Sequence, residues 1–120
     1  MNTIFSKSND KVKFIKNLNE KKYRIKANSF YLEGVKVVNE ILDKAIDIEF
    51  IAYSKSILCT TNGGEELLNR IENIDVEVLD FDENIFKYMT DTVNPQGVLV
   101  VLKIPEYNLR EELEKEDSNI

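Results

Sequence analysis

The sequence predicts an α/β domain with helices on both faces of a small sheet, and three observations lead there. Segments of strand length and composition alternate along the chain with segments whose apolar residues recur at helical spacing. The last apolar stretch, "GVLVVLKI" at 97–104, is hydrophobic almost throughout, as expected of a strand covered on both faces. Three successive strand–helix–strand passages favour largely parallel pairing, because a helix is the usual crossover between parallel strands, and leave one antiparallel strand open.

Each element has a local justification. Asn9 or Ser8 can cap a first helix whose apolar stripe is Val12, Phe14, Ile15 and Leu18, with the lysines at 11, 13 and 16 mostly off that stripe. "EKKYRIKAN" breaks the periodicity and reads as a basic connector. "SFYLEG" (29–34) suits a short aromatic-rich strand closed by Gly34. Val35, Val38, Ile41, Leu42 and Ala45 follow helical spacing over about 34–45. "IEFIAYS" (48–54) is a strand. Asn62 with Glu65 resembles a capping box opening a third helix, with Leu67, Leu68, Ile71 and Ile74 inward. "DVEVLDF" (75–81) alternates as a strand does, and Asp82 caps a short helix carrying Ile85, Phe86 and Met89. Asn94-Pro95-Gln96-Gly97 then fits a type I turn, since Pro presets φ and Gly relaxes the exit. Gln96 is left without a structural reason. After Pro105, "EYNLREELEKEDSNI" is acidic and lacks a strong apolar face, so residues 106–120 read as a linker following a domain at 1–105.

Composition narrows the chemistry. A chain of 120 residues, 42% hydrophobic and 32% charged, is one ordinary soluble domain. No apolar run approaches the roughly 18 residues of a membrane span, and the amino terminus lacks a signal peptide's apolar core. Cys59 is the single cysteine, which suits a reducing cytoplasm and reads as a small apolar residue. Histidine is absent, which removes Ser-His-Asp and Cys-His nucleophilic schemes and every His-containing zinc site. "NGGEELLNR" (62–70) lacks both GxGxxG and the Walker pattern, so helix capping explains it better than phosphate binding. No pair of acids is marked by spacing as a general acid and base. Tyr53, Tyr88 and Tyr107 fit strand and helix packing rather than a base-stacking platform. No catalytic residue and no metal ligand is assigned.

Charge is divided unevenly. Residues 1–26 hold eight lysines and arginines against two acids, a net +6, so the remainder carries −12 of the total of −6. Such asymmetry points to a nucleic-acid contact confined to one face, with a solvated basic helix as the bland alternative. Lys21-Lys22-Tyr23-Arg24 sets three cations beside an aromatic, where phosphates can be held and a base or sugar stacked.

Three stretches in order, 6–34, 34–42 and 90–105, resemble the amino-terminal substrate-binding domain of SpoU/TrmH-type RNA 2′-O-ribose methyltransferases. The residues that carry the resemblance are Ser6 with Asn9, Lys21-Lys22-Tyr23-Arg24, Glu33-Gly34 and Pro95-Gln96-Gly97. It implies a three-layer α/β/α fold with a mixed four-stranded sheet whose last strand is antiparallel to its neighbours, related to ribosomal proteins that bind kink-turn RNA. That replaces the preference for parallel pairing. It also implies a parent enzyme that uses S-adenosylmethionine, with cofactor site, catalytic arginine and homodimer contacts in a further, knotted domain. Asn62-Gly63-Gly64 is the nearest string to that domain's first signature, but Leu68 stands where its arginine belongs.

The division of labour implied is RNA placement here and methyl transfer elsewhere, so the segment alone is expected to be inactive. The expected partner is rRNA or tRNA, with no membrane. Lys13, Lys21, Lys22, Arg24 and Lys26 are the candidates for phosphate, and Asn9, Glu33 and Gln96 for bases or 2′-hydroxyls. The competing roles are a helix cap for Asn9 and a strand-end hydrogen bond for Glu33. The alternatives in function are a stand-alone kink-turn-type RNA-binding module, and a small protein-interaction domain binding a basic partner.

Overall fold

In the computed structural model, residues 3–104 are described. The acidic segment 106–120, and Tyr107 within it, lie outside them. In chain order the elements are α1 (Asp10–Asn17), α2 (Lys21–Ala27), β1 (Ser29–Glu33), α3 (Val35–Asp43), β2 (Ile48–Tyr53), α4 (Lys55–Leu58), α5 (Gly64–Ile71), β3 (Val78–Asp80), α6 (Glu83–Met89) and β4 (Val98–Lys103). The strands form one sheet in the order β1-β4-β2-β3. β4 is antiparallel to both β1 and β2, and only β2 and β3 run parallel. The mixed sheet is therefore the one the resemblance implies, and the parallel pairing favoured by element order is corrected. The last strand, arriving from α6, inserts between β1 and β2 instead of adding to an edge.

That insertion explains the unbroken apolar run of β4. Its Leu99 and Val101 join Val12 and Ile15 of α1, Leu18 that caps its end, and Ile85, Phe86 and Met89 of α6 on one face. Its Val98, Val100 and Leu102 join Val38 and Ile41 of α3 and Leu67, Leu68 and Ile71 of α5 on the other. A central strand with helices on both sides has no polar face to display. β2 serves both cores too, with a register shift between Ile48 and Phe50. Ile48 consequently packs on the α3–α5 face while Phe50, two residues later, packs on the α1–α6 face.

Asn9 caps α1, its Oδ1 accepting from the Lys11 N–H at 2.8 Å, and Asp82 caps α6 through the Asn84 N–H at 3.0 Å. The capping box expected at Asn62 does not form. α5 begins after Gly63, at φ 79°, with no side-chain cap. Gly64 is there for closeness: a Cβ on it would lie 1.8 Å from the Leu58 carbonyl oxygen, where α4 abuts α5. The largest difference from expectation is the basic connector, which is the helix α2. It buries no residue and its N-cap, Glu20, makes no side-chain cap. Apolar periodicity could not reveal a helix that has no buried stripe.

Candidate nucleic-acid interface

α2 lacks the usual supports of a short helix. Lys21 and Lys22 occupy its first turn, where the positive end of the helix dipole disfavours cations. It is held instead at its ends. The Arg24 Nη1 donates to the Leu18 carbonyl at 2.9 Å, tying α2 to the end of α1, and Asn28 closes the helix in the left-handed region at φ 52°. Lys22 and Lys26, one turn apart, are exposed on its surface, and the Lys22 ammonium stands 5.0 Å from the Tyr23 ring. Lys21 and Lys22 placed against the dipole, on a helix with no fully buried residue, break a local rule in the manner of a functional surface.

From α2 the surface continues to the edge strand β1. The Tyr31 hydroxyl donates to Asn19 Oδ1, and Asn19 Nδ2 donates to the Met89 carbonyl at 3.0 Å. The Asp91 N–H reaches the same hydroxyl at 3.4 Å. Burial raises the Tyr31 pKa, the Asp91 hydrogen bond opposes this, Glu33 and Asp91 add to it through their charges, and Arg24 counters them. This tyrosine therefore links the α1–α2 corner to Glu33 and to the loop after α6.

Two residues on, Glu33 and Gln96 form a lock. The Gln96 N–H donates to Glu33 Oε2 at 2.9 Å, and Gln96 Oε1 accepts from the Val35 N–H at 2.9 Å, the first residue of α3. The Gln96 carbonyl accepts from Thr61 Oγ1 at 2.9 Å. Glu33 is pushed above the usual carboxylate range by burial, and hydrogen bonds from the Gln96 N–H, the Thr92 side chain and the Gly97 N–H act against the shift. The Asn94–Gly97 segment is thus a bend held from outside by Glu33, rather than a type I turn closed by a bond of its own. Gly97 sits at φ 91°, and a Cβ there would lie 2.5 Å from the Leu58 N. Gln96, which local sequence left unexplained, is a scaffold residue at three of its atoms. A hollow of about 320 Å³ opens beside the lock, lined by Glu33, Gly34, Lys36, Val37, Glu40 and Gln96.

The second opening is a cleft of about 790 Å³ between α1, the end of α6 and the loop that follows. Lys13, Lys16, Lys87 and Tyr88 line it together with Asn17 and Asn19, and Glu20 and Asp91 stand at its wall as well. Tyr88, expected as packing, is 36% exposed. The ammonium groups of Lys16 and Lys7 lie 4.3 and 4.5 Å from its ring centroid. Lys16, Lys87 and Tyr88 were not singled out by sequence, although the three-residue spacing of Lys13 and Lys16 off the apolar stripe is a signal for the first. Of the expected site residues, the structure brings Lys13, Arg24, Glu33 and Gln96 into one connected surface through Asn19, Tyr31 and Asp91. Asn9 lies at the far end of α1, engaged as its cap.

A family model described as the MRM3-like substrate binding domain matches residues 9–100. The chain belongs to that family. Among solved structures, this MRM3-like domain is similar to an rRNA methyltransferase from Sinorhizobium meliloti, with 27% identity and a TM-score of 0.66 over 87% of this chain and 37% of that one. An AdoMet-bound rRNA methyltransferase from Sinorhizobium meliloti gives 27% and 0.65 over 87% and 37%. An RNA 2′-O ribose methyltransferase gives 23% identity and a TM-score of 0.69 over 88% and 38%, a likeness of fold alone. A TrmH-family RNA methyltransferase candidate from Porphyromonas gingivalis gives 26% and 0.61 over 82% and 36%. The chain thus spans little more than a third of these proteins. Comparison with curated protein sequences gives no match. The resemblance to a SpoU/TrmH substrate-binding domain is borne out.

Among the described residues, the glycine pair Gly63-Gly64 is taken up by the contact of Gly64 with Leu58, and the α1–α6 cleft mixes Lys13, Lys16 and Lys87 with Glu20 and Asp91, so neither is assigned to S-adenosylmethionine. Among the described residues no cluster of Cys, Asp and Glu could hold a metal ion, and no helix is long and apolar enough to cross a membrane.

Proposed function

We propose that residues 1–105 bind and position RNA, rRNA or tRNA, for 2′-O-ribose methylation by a cofactor-dependent knotted domain of the same cytoplasmic, homodimeric enzyme, with 106–120 as the acidic linker to it. The observation that carries this reading is the family match to a substrate-binding domain over the same residues that build the cationic α1–α2 surface. Lysines at 13, 21, 22 and 26 and Arg24 meet phosphates, supplying affinity without sequence information. Asn9, Glu33 and Gln96 supply polar atoms toward bases or 2′-hydroxyls. For Gln96 the amide nitrogen does so, since its oxygen is engaged by α3.

In this division the segment contributes placement. Methyl transfer requires the attacking 2′-oxygen to be held in line and close, and a second domain that fixes the RNA contributes by orientation. The alternative, a stand-alone kink-turn-type RNA-binding module, is less well supported, because the matching family is a substrate-binding domain and its solved relatives are much longer.

The test is salt-dependent RNA binding by Lys22→Glu/Lys26→Glu, two exposed positions away from the Arg24–Leu18 bond. Each lost phosphate contact lowers the slope of log affinity against log salt by roughly 0.7–0.9. The double variant should bind more weakly and with a shallower slope. Unchanged affinity and slope would remove α2 from the interface, and methyl transfer by this segment alone would overturn the division of labour.

A further inference from the structure

We propose that the cleft between α1 and α6 receives an unpaired nucleotide of the RNA, its base stacked on Tyr88 and its phosphates held by Lys13 and Lys16. The inference deepens the RNA-binding reading above and rests on it. α6 buries Ile85, Phe86 and Met89, yet its Tyr88 keeps over a third of its surface open at the rim of the cleft.

The chemistry around the ring is that of a single-stranded nucleotide site. Lys16 hovers over the ring and also lies 3.3 Å from the Tyr88 carbonyl, while Lys7 approaches the ring from the amino-terminal segment. An incoming phosphate outcompetes a weak cation–π contact for an ammonium, and drawing the lysine aside uncovers the ring for a base. Lys13 has no ion-pair partner among the described residues, and Asn17 is exposed on the same wall. Cations on the backbone, an aromatic face for stacking and an amide for a base edge make up the set used for splayed-out RNA. A paired base hides both faces in its stack, so the geometry selects single-stranded over duplex RNA. Neither the α2 surface nor the Glu33–Gln96 lock offers an exposed aromatic in a cleft.

The experiment is fluorescence anisotropy of the 120-residue chain with a labelled single-stranded octanucleotide and with a blunt RNA duplex. Tyr88→Ala should weaken binding of the single strand by about tenfold or more and leave the duplex unaffected. Tyr88→Phe, which keeps the ring, should restore single-strand binding. Equal affinity of wild type and Tyr88→Ala for the single strand, or an equal loss on both probes, would overturn the stacking role while leaving RNA binding standing. Binding of neither probe by the wild type is a different result: it sinks the RNA-binding reading, and this inference with it.

Discussion

Replacing Gln96 by Ala separates a scaffold role from a recognition role. The Val35 N–H is one of the unpaired donors at the start of α3, and the residue in the cap position is Gly34, which has no side chain to offer. Gln96 fills that place from 61 residues away. Alanine at 96 removes this one bond, since the backbone bonds to Glu33 and from Thr61 do not involve the side chain. Loss of a side-chain cap costs about 0.5–2 kcal/mol. The bond is exposed, so water replaces part of it and the lower half of that range applies, about 0.5–1 kcal/mol. For a domain of this size the melting temperature should fall by roughly 2–6 °C. Thermal denaturation followed by far-ultraviolet circular dichroism measures it. Gln96→Glu restores an acceptor but sets a second carboxylate beside Glu33, so its rescue should improve as pH falls. An unchanged melting temperature in Gln96→Ala, with RNA binding weakened, would refute the cap and give the amide wholly to RNA.

Two further substitutions test the same corner. Glu33 has a folded pKa above its unfolded one, so the native state holds its proton more tightly. Its contribution to stability is complete below the ordinary carboxylate range and is lost as pH rises through the folded pKa. Urea midpoints measured between about pH 4 and 7 should show wild type losing ground to Glu33→Gln as pH rises. Wild type gaining instead would mean that the hydrogen bonds outweigh burial. Gly64→Ala gains up to about 1 kcal/mol in helix propensity, but its Cβ would meet the Leu58 carbonyl at 1.8 Å. Relieving that contact means moving α4 against α5, at about 3 kcal/mol or more. Equilibrium unfolding of a variant as stable as wild type would show that the two helices can part cheaply.

What could be read from sequence depended on whether the deciding interaction was local. α1, α6 and β4 were legible because Asn9 and Asp82 cap within two residues and β4 declares its burial by composition. α2 was not, since a helix lying on the surface with no buried residue has no stripe to detect. Strand direction was legible only through the family resemblance, because alternation of elements says nothing about β4 entering between β1 and β2. Among the site residues, the cations were visible as a charge asymmetry, whereas Tyr88 carries the same pattern on paper as a core tyrosine. Its exposure follows from how α6 lies against α1, a tertiary fact.

The arrangement divides affinity from precision by residue type. The lysines proposed to meet phosphate extend from α1 and α2 on long, exposed side chains, which tolerate many backbone geometries and select none. Glu33 and Gln96 are the opposite: each is held by partners on other elements, and the lock joins the end of β1, the start of α3 and the approach to β4. A group fixed by three elements cannot follow a misplaced ligand, so what it contacts must come to it. On the proposed reading, methyl transfer to a single ribose would use that asymmetry, with loosely held cations gathering the RNA and a rigid point defining where along the strand the 2′-oxygen is presented. The effects of substitution should divide accordingly. Changes at lysines 22 and 26 should alter affinity and its salt dependence for every RNA alike. Changes at the lock should alter which RNA is bound, and should register in stability as well.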